Sequence, residues 1–253
     1  MLSIDELRDF MRLKGLKTLG NAEKDYLIEL SLLSLSRSTK DELVFKGGTC
    51  LSKFYGLDRF SEDIDFTVRK SLDASRVLKG IVSDLNAFGI DAEIKEERKA
   101  HNTIMAIIRT RGPLFQGTQH SVSGIKLDMN LKSSIDLEPE YRSYSSLYPN
   151  VPAFSMLVMQ EKEILAEKVR AIMTRGKARD VYDLRFLLER GVQFDEGLVR
   201  KKLEYYGEKW SPKKFSEGLR LRESVWKTEL GPLVGRVPDF GETRKLILEG
   251  IKD

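Results

Sequence analysis

The stretch FKGGTCLSKFYGLDRFSEDIDFTV, residues 45–68, decides how this chain is read. It runs from a short apolar segment into Gly47-Gly48-Thr49 and closes on Asp63-Ile64-Asp65. Glycines let a backbone take positive φ and come close to a ligand. A helix that starts just after them turns its unbonded N–H groups, and the positive end of its dipole, toward an anion. Thr49 adds a hydroxyl that can reach a phosphate. Residues 63–68 alternate, with Ile64, Phe66 and Val68 on one side and Asp63, Asp65 and Thr67 on the other, the period of a strand. Carboxylates two residues apart on a strand point the same way and repel each other unless a cation sits between them. Mg²⁺ is a hard cation suited to carboxylates and substrate phosphates together. Each half alone is a common feature: most Gly-Gly pairs are turns, and paired aspartates often sit on exposed edge strands.

A further strand strengthens the pair. In Ser123-Gly-Ile-Lys-Leu-Asp-Met-Asn130, Lys126 and Asp128 share one face while Ile125, Leu127 and Met129 share the other. Laid beside residues 63–68, it makes Asp63, Asp65 and Asp128 a triad able to support two metals about 3.5–4 Å apart, one for the attacking oxygen and one for the triphosphate. Asp128 is the best placed of the three to act as base. Lys126 faces the same side or is an ordinary surface residue.

Outward from this centre, helices are expected at residues 3–14 and 20–37, with Asn21 as an N-cap, and at 49–55 and 74–88. Strands are expected at 42–46, 91–97, 103–110 and 121–130. Residues 132–153 carry Pro139, Pro149, Pro152 and many serines, which reads as an irregular connection. Five helices follow, at 161–175, 178–190, 196–206, 212–226 and 242–252. The expected division is an α/β domain over residues 1–153 and a helical domain over 154–253.

The bulk composition excludes several classes. With 253 residues, 41% hydrophobic and 32% charged, the chain can bury a core beneath a charge-rich surface. No apolar run approaches the ~20 residues of a bilayer span, and the first residues lack the apolar segment of a signal peptide, so a cytoplasmic protein is expected. The single cysteine, Cys50, permits no internal disulfide and is expected in the core. Two histidines, His101 and His120, give little support to a zinc site or a Ser-His-Asp triad. A net charge of +4 is mild, yet Lys and Arg crowd residues 168–190 and 209–222. That crowd is either a solvated helix face or a surface for phosphates.

Gly47-Gly48-Thr49, a spacer, then Arg59-Phe-Ser61-Glu-Asp63-Ile-Asp65-Phe66 resembles the AbiEii/AbiGii-type toxin family, within the DNA polymerase beta-like nucleotidyltransferases. A second block is similar too: Glu163-Ile-Leu-Ala-Glu167-Lys168-Val-Arg170, then Arg175 and Lys177-Ala-Arg179-Asp180-Val-Tyr182-Asp183-Leu184. Together they cover residues 43–190. The resemblance implies an α+β fold, a polymerase beta-like core with a mixed sheet followed by a helical C-terminal region. It implies transfer of a nucleotide from an NTP with Mg²⁺, or Mn²⁺ in its place, by the toxin of a toxin–antitoxin or phage-defence pair. The acceptor it implies is RNA, the tRNA 3′ end above all, and the partners are the NTP, that RNA and a cognate antitoxin, with no membrane. Gly48 and Thr49 would bind the triphosphate, Asp63 and Asp65 the metal, Lys168 the NTP phosphates, and Asp180 would be a functional acid near it. Gly-Thr replaces the family's usual Gly-Ser and keeps the hydroxyl.

From the residues alone, Arg59 and Ser61 order the loop or touch the substrate, and Arg179 and Asp183 are substrate or structural residues. Asp180 and Asp183 share a helix face, so one would form an ion pair while the other reaches a cleft. Two other readings stay open: the same chemistry on a protein or small-molecule hydroxyl, and a module that holds an NTP or a partner without turnover.

Overall fold

The computed structural model describes residues 1–100 and 102–251; His101 and Lys252, the end of the last expected helix, lie outside them. The chain divides into two compact units. One comprises Met1–Phe54, Phe60–Ser133 and Pro139–Val158; the other comprises Tyr55–Arg59, Ser134–Glu138 and the chain from Met159 onward. The break thus follows Val158, five residues beyond the expected 153/154 boundary.

The first unit begins with α1 (Ile4–Leu13), opened by a capping box between Ser3 and Glu6. In α2 (Leu19–Ser38) the N-cap is Thr18, not Asn21: the Thr18 hydroxyl accepts the Asn21 N–H. β1 (Leu43–Lys46) leads into α3 (Gly47–Cys50), which continues as a π-helical turn over Leu51–Tyr55. Then come β2 (Asp63–Val68), α4 (Ala74–Ala87), β3 (Asp91–Ala100), β4 (Thr103–Arg111), β5 (Ser123–Asn130), β6 (Glu140–Tyr144) and β7 (Phe154–Val158).

The seven strands form one mixed sheet in the order β3-β4-β5-β2-β1-β7-β6. β2 runs parallel to β5 and β1 parallel to β7; the other neighbours are antiparallel. Ile64, Phe66, Ala106, Ile108, Leu127 and Met129 alternate onto one face and are buried, while α2 packs on α4 and against β5. Period-2 burial of this kind places the aspartates of β2 and β5 on the opposite face.

Two strands lie where the sequence shows no strand pattern. β6 falls inside the stretch expected to be irregular, and its residues are all exposed or half-buried, the mark of an edge strand with no apolar face to read. β7 is five residues long, too short for its period to stand out beside the helix that follows.

The second unit holds α5 (Glu161–Thr174), α6 (Ala178–Glu189), α7 (Glu196–Glu204), α8 (Pro212–Arg220), α9 (Trp226–Leu230) and α10 (Phe240–Gly250). α5 is central, against α6, α7 and α8. The helix expected over 212–226 breaks after Arg220. There the Arg222 N–H bonds to Leu219 O, and the Arg222 guanidinium takes Gly218 O, the carbonyl that helix continuation would use. Among the described residues no helix is long and apolar enough to cross a membrane.

Candidate active site

The acidic face of the first unit is built by strand register. Asp65 pairs with Asp128 across the parallel β2–β5 ladder, and Asp63 pairs with Lys126. The expected adjacency of the third acid is therefore present. Lys126 lies on the same face, its half-exposed ammonium 3.9 Å from Asp63 Oδ1. On the other side, Lys46 of β1 occupies the rung beside Asp65.

The double glycine is locked against this face. Gly47 has φ +79°, and a Cβ there would stand 2.6 Å from Asp65 Oδ2. Glycine is thus required twice, for the left-handed backbone and for the approach of the carboxylate. One residue of the expected set is used differently. Thr49 is fully buried, and its hydroxyl donates to the backbone carbonyl of Asp63 and meets Ser61 Oγ at 3.0 Å. It fastens the glycine segment to the strand of aspartates instead of being presented to a phosphate, because its side chain turns into the unit. Ser61 shares that fastening, which gives it an ordering role.

Three carboxylates offer only hard oxygen donors, the set a magnesium-like ion prefers. Among the described residues no three His, Cys, Asp or Glu groups converge on a common point. Residues on adjacent rungs of neighbouring strands stand about 5 Å apart, so Asp65 and Asp128 can share an ion by side-chain rotation. The acidic face thus suits a divalent cation in donor type, with Asp65 and Asp128 as its adjacent pair.

The second block of expected residues forms an ion chain inside the second unit. Lys168 on α5 lies between Asp180 Oδ1 at 3.1 Å and Asp183 Oδ2 at 2.6 Å, both on α6. Arg175 grips Asp180 with two bonds, Nε to Oδ2 and Nη2 to Oδ1, each 2.9 Å. Arg59 grips Asp183 likewise, Nε to Oδ1 at 2.6 Å and Nη2 to Oδ2 at 2.8 Å. Both aspartates are fully buried and both are ion-paired, so neither reaches outward as one was expected to. Burial would raise the Asp180 carboxyl; Lys168 and Arg175 outweigh it and hold it well below the carboxylate range. Asp183 is likewise lowered, with Arg59 and Lys168 prevailing over burial. Arg59 thus orders structure through Asp183, and Arg179, next to Asp180, is half-buried at the start of α6.

Sequence reasoning missed a second ion cluster, in which Asp25 and Glu29 of α2 meet Lys14 and Lys53. The available signal was two acids one turn apart, Asp25 and Glu29, flanking the apolar run Tyr26-Leu27-Ile28.

The family model for the nucleotidyl transferase AbiEii toxin of type IV toxin–antitoxin systems matches residues 32–246. Among solved structures, MenT4, a nucleotidyltransferase toxin of Mycobacterium tuberculosis, matches with a TM-score of 0.70 at 20% identity, over 99% of this chain and 89% of its own. JHP933 of Helicobacter pylori matches with a TM-score of 0.60 at 22% identity, over 93% of this chain and 91% of its own. At these identities the likeness to the two structures is one of fold. No curated protein matches the chain.

Proposed function

The chain belongs to the AbiEii family, the nucleotidyltransferase toxins of type IV toxin–antitoxin systems, and from that membership we propose that it moves a nucleotide from an NTP to the 3′ end of tRNA with Mg²⁺. An NTP substrate and a cognate antitoxin go with the family. One observation carries the chemistry: parallel β2 and β5 set Asp65 beside Asp128 while Gly47 abuts the Asp65 carboxylate. That arrangement sets two paired acids, with Asp63 on the same face, next to a glycine backbone suited to approach phosphates.

In this reading Asp63, Asp65 and Asp128 hold the divalent ion, which supplies Lewis-acid polarisation of phosphate oxygens and a lowered pKa for the incoming hydroxyl. Backbone N–H groups at Gly47 and Gly48 receive the triphosphate. Asp128 takes the proton of the acceptor hydroxyl, whose oxygen forms a bond to the α-phosphorus as the bond to the bridging oxygen breaks and pyrophosphate leaves. Lys126 borders the acids and favours phosphate oxygens there. By the family's pattern Lys168 would neutralise NTP phosphates with Asp180 as its acid; within the second unit Lys168 is buried and held between Asp180 and Asp183. Mn²⁺ would meet the same donors.

RNA as acceptor is supported by exposed Lys177, Lys209, Lys213 and Arg220 in the second unit. Tyr206 is 47% exposed there, with the Arg170 guanidinium 4.3 Å over its ring. A cytoplasmic location follows from the substrates. The test is incubation with each α-labelled NTP, Mg²⁺ and total RNA, beside Asp63→Ala/Asp65→Ala. Label in tRNA with the native protein alone is expected. Label on protein would move the acceptor to a protein hydroxyl, and label nowhere would leave a binding module without turnover.

A further inference from the structure

Lys53 lies one turn beyond Thr49, on the π-helical turn that prolongs α3, and its ammonium is buried. It meets Asp25 Oδ1 at 2.5 Å and Glu29 Oε1 at 2.6 Å, both on α2. Lys14, at the end of α1, binds the same two acids from its own side. The Tyr148 hydroxyl donates to Asp25 at 3.0 Å and the Tyr144 hydroxyl to Glu29 at 2.6 Å. Two lysines and two acids make a neutral, buried, hydrogen-bonded cluster. Burial would lower the Lys53 ammonium; Asp25 and Glu29 reverse that and hold it above the ordinary lysine value.

The short segment that Lys53 belongs to is fixed by its side-chain contacts. Its N-cap, Lys46, makes no side-chain cap bond, and a helix this short does not hold its own orientation. Thr49 ties it to the Asp63 carbonyl on one side and Lys53 ties it to α2 on the other, while the Phe54 ring packs on Phe45 and Tyr144 and the Tyr55 hydroxyl donates to Met159 O at 2.8 Å. π-helical turns recur at functional sites because they re-aim a helix. Here the turn delivers Lys53 to the acids of α2.

We infer that Lys53 is a positioning residue for nucleotidyl transfer, fixing the Gly47-Gly48-Thr49 segment to α2 so that it stands ready for the triphosphate. This rests on the reading of that segment as the phosphate-binding one. Lys14 is the internal comparison: it has the same acids and similar burial but lies on α1, remote in sequence from the glycines.

The experiment measures equilibrium binding of ATP, CTP, GTP and UTP with Mg²⁺, plus thermal unfolding, for native protein, Lys53→Met, Lys14→Met and the charge-balanced Lys53→Met/Glu29→Gln. The two single variants should lose similar thermal stability. Lys53→Met should weaken the best-bound NTP about tenfold, and Lys14→Met less than about threefold. The double variant keeps one cation with one acid and should fold even where Lys53→Met does not; its NTP binding should stay weakened because the tether is gone. Equal weakening by the two single variants would overturn the inference, as would native NTP affinity in the double variant. Native protein that binds no NTP would instead sink the phosphate-loop reading itself.

Discussion

Gly47→Ala puts the architecture of the acidic face under direct strain. The backbone there has φ +79°, and an alanine Cβ would meet Asp65 Oδ2 at 2.6 Å. Real Cβ atoms essentially never come within 3.0 Å, and ordinary contact begins at 3.4 Å, so the carboxylate must retreat by 0.8 Å (3.4 less 2.6). A left-handed alanine costs about 1–2 kcal/mol, partly offset by a stiffer unfolded chain worth roughly 0.4–1 kcal/mol. Gly117 provides the control: φ is +76° there and nothing lies within 4 Å of the added Cβ. Gly117→Ala should therefore lower the midpoint by only about 2–4 °C and leave activity alone. Gly47→Ala adds the displacement of Asp65, and a misplacement near 1 Å lowers the rate about 100-fold. The assay is incorporation of α-labelled nucleotide, with thermal unfolding run in parallel. If Gly47→Ala kept activity within about threefold of Gly117→Ala, the contact between glycine and carboxylate would be irrelevant to the chemistry.

Thr49→Val removes the bond to Asp63 O from a buried place and should cost about 1–3 kcal/mol in urea unfolding, whereas Thr49→Ser keeps the hydroxyl and most of the stability; equal losses would mean the bond is not what holds the segment. Arg59→Met leaves Asp183 buried with Lys168 as its remaining described cation and should destabilise by about 3–5 kcal/mol. A loss under ~1 kcal/mol would contradict the ion chain. Asp25, Asp180 and Asp183 all have carboxyls lowered in the folded state. The unfolded chain then binds more protons, so their contribution is complete well above the unfolded value of about 3.9 and drains away as pH falls through it. Urea midpoints should be level from pH 7 to about 5 and fall progressively as pH drops below about 4, with a shallower drop in Asp180→Asn.

Much of the fold was legible because its signals are short-range. Strand alternation in residues 63–68 and 123–130 named the core face, and the same alternation put Asp65 beside Asp128, with Asp63 on the same face, once the two strands paired. β6 escaped because an edge strand with no buried face carries no period, and β7 because five residues are too few to show one. The roles of single polar atoms were harder. A threonine after two glycines looks the same in sequence whether its hydroxyl faces a phosphate or the Asp63 carbonyl; only the turn of the backbone decides. Asp180 and Asp183 were seen to share a face, but the capture of Asp183 depends on Arg59, more than a hundred residues earlier in the chain. The Lys53 cluster depends on three helices and the β6 neighbourhood meeting at one point, which no local pattern encodes.

Nucleotidyl transfer is assigned here to the acidic face of β2 and β5. The most direct measurement compares α-labelled and γ-labelled NTP in one reaction with the RNA acceptor, using native protein and Asp65→Asn. With native protein, α label is expected in the RNA and γ label in released pyrophosphate, and both are expected to be lost in Asp65→Asn. Label from the γ position in the acceptor, or α-label transfer undiminished by Asp65→Asn, would contradict that assignment.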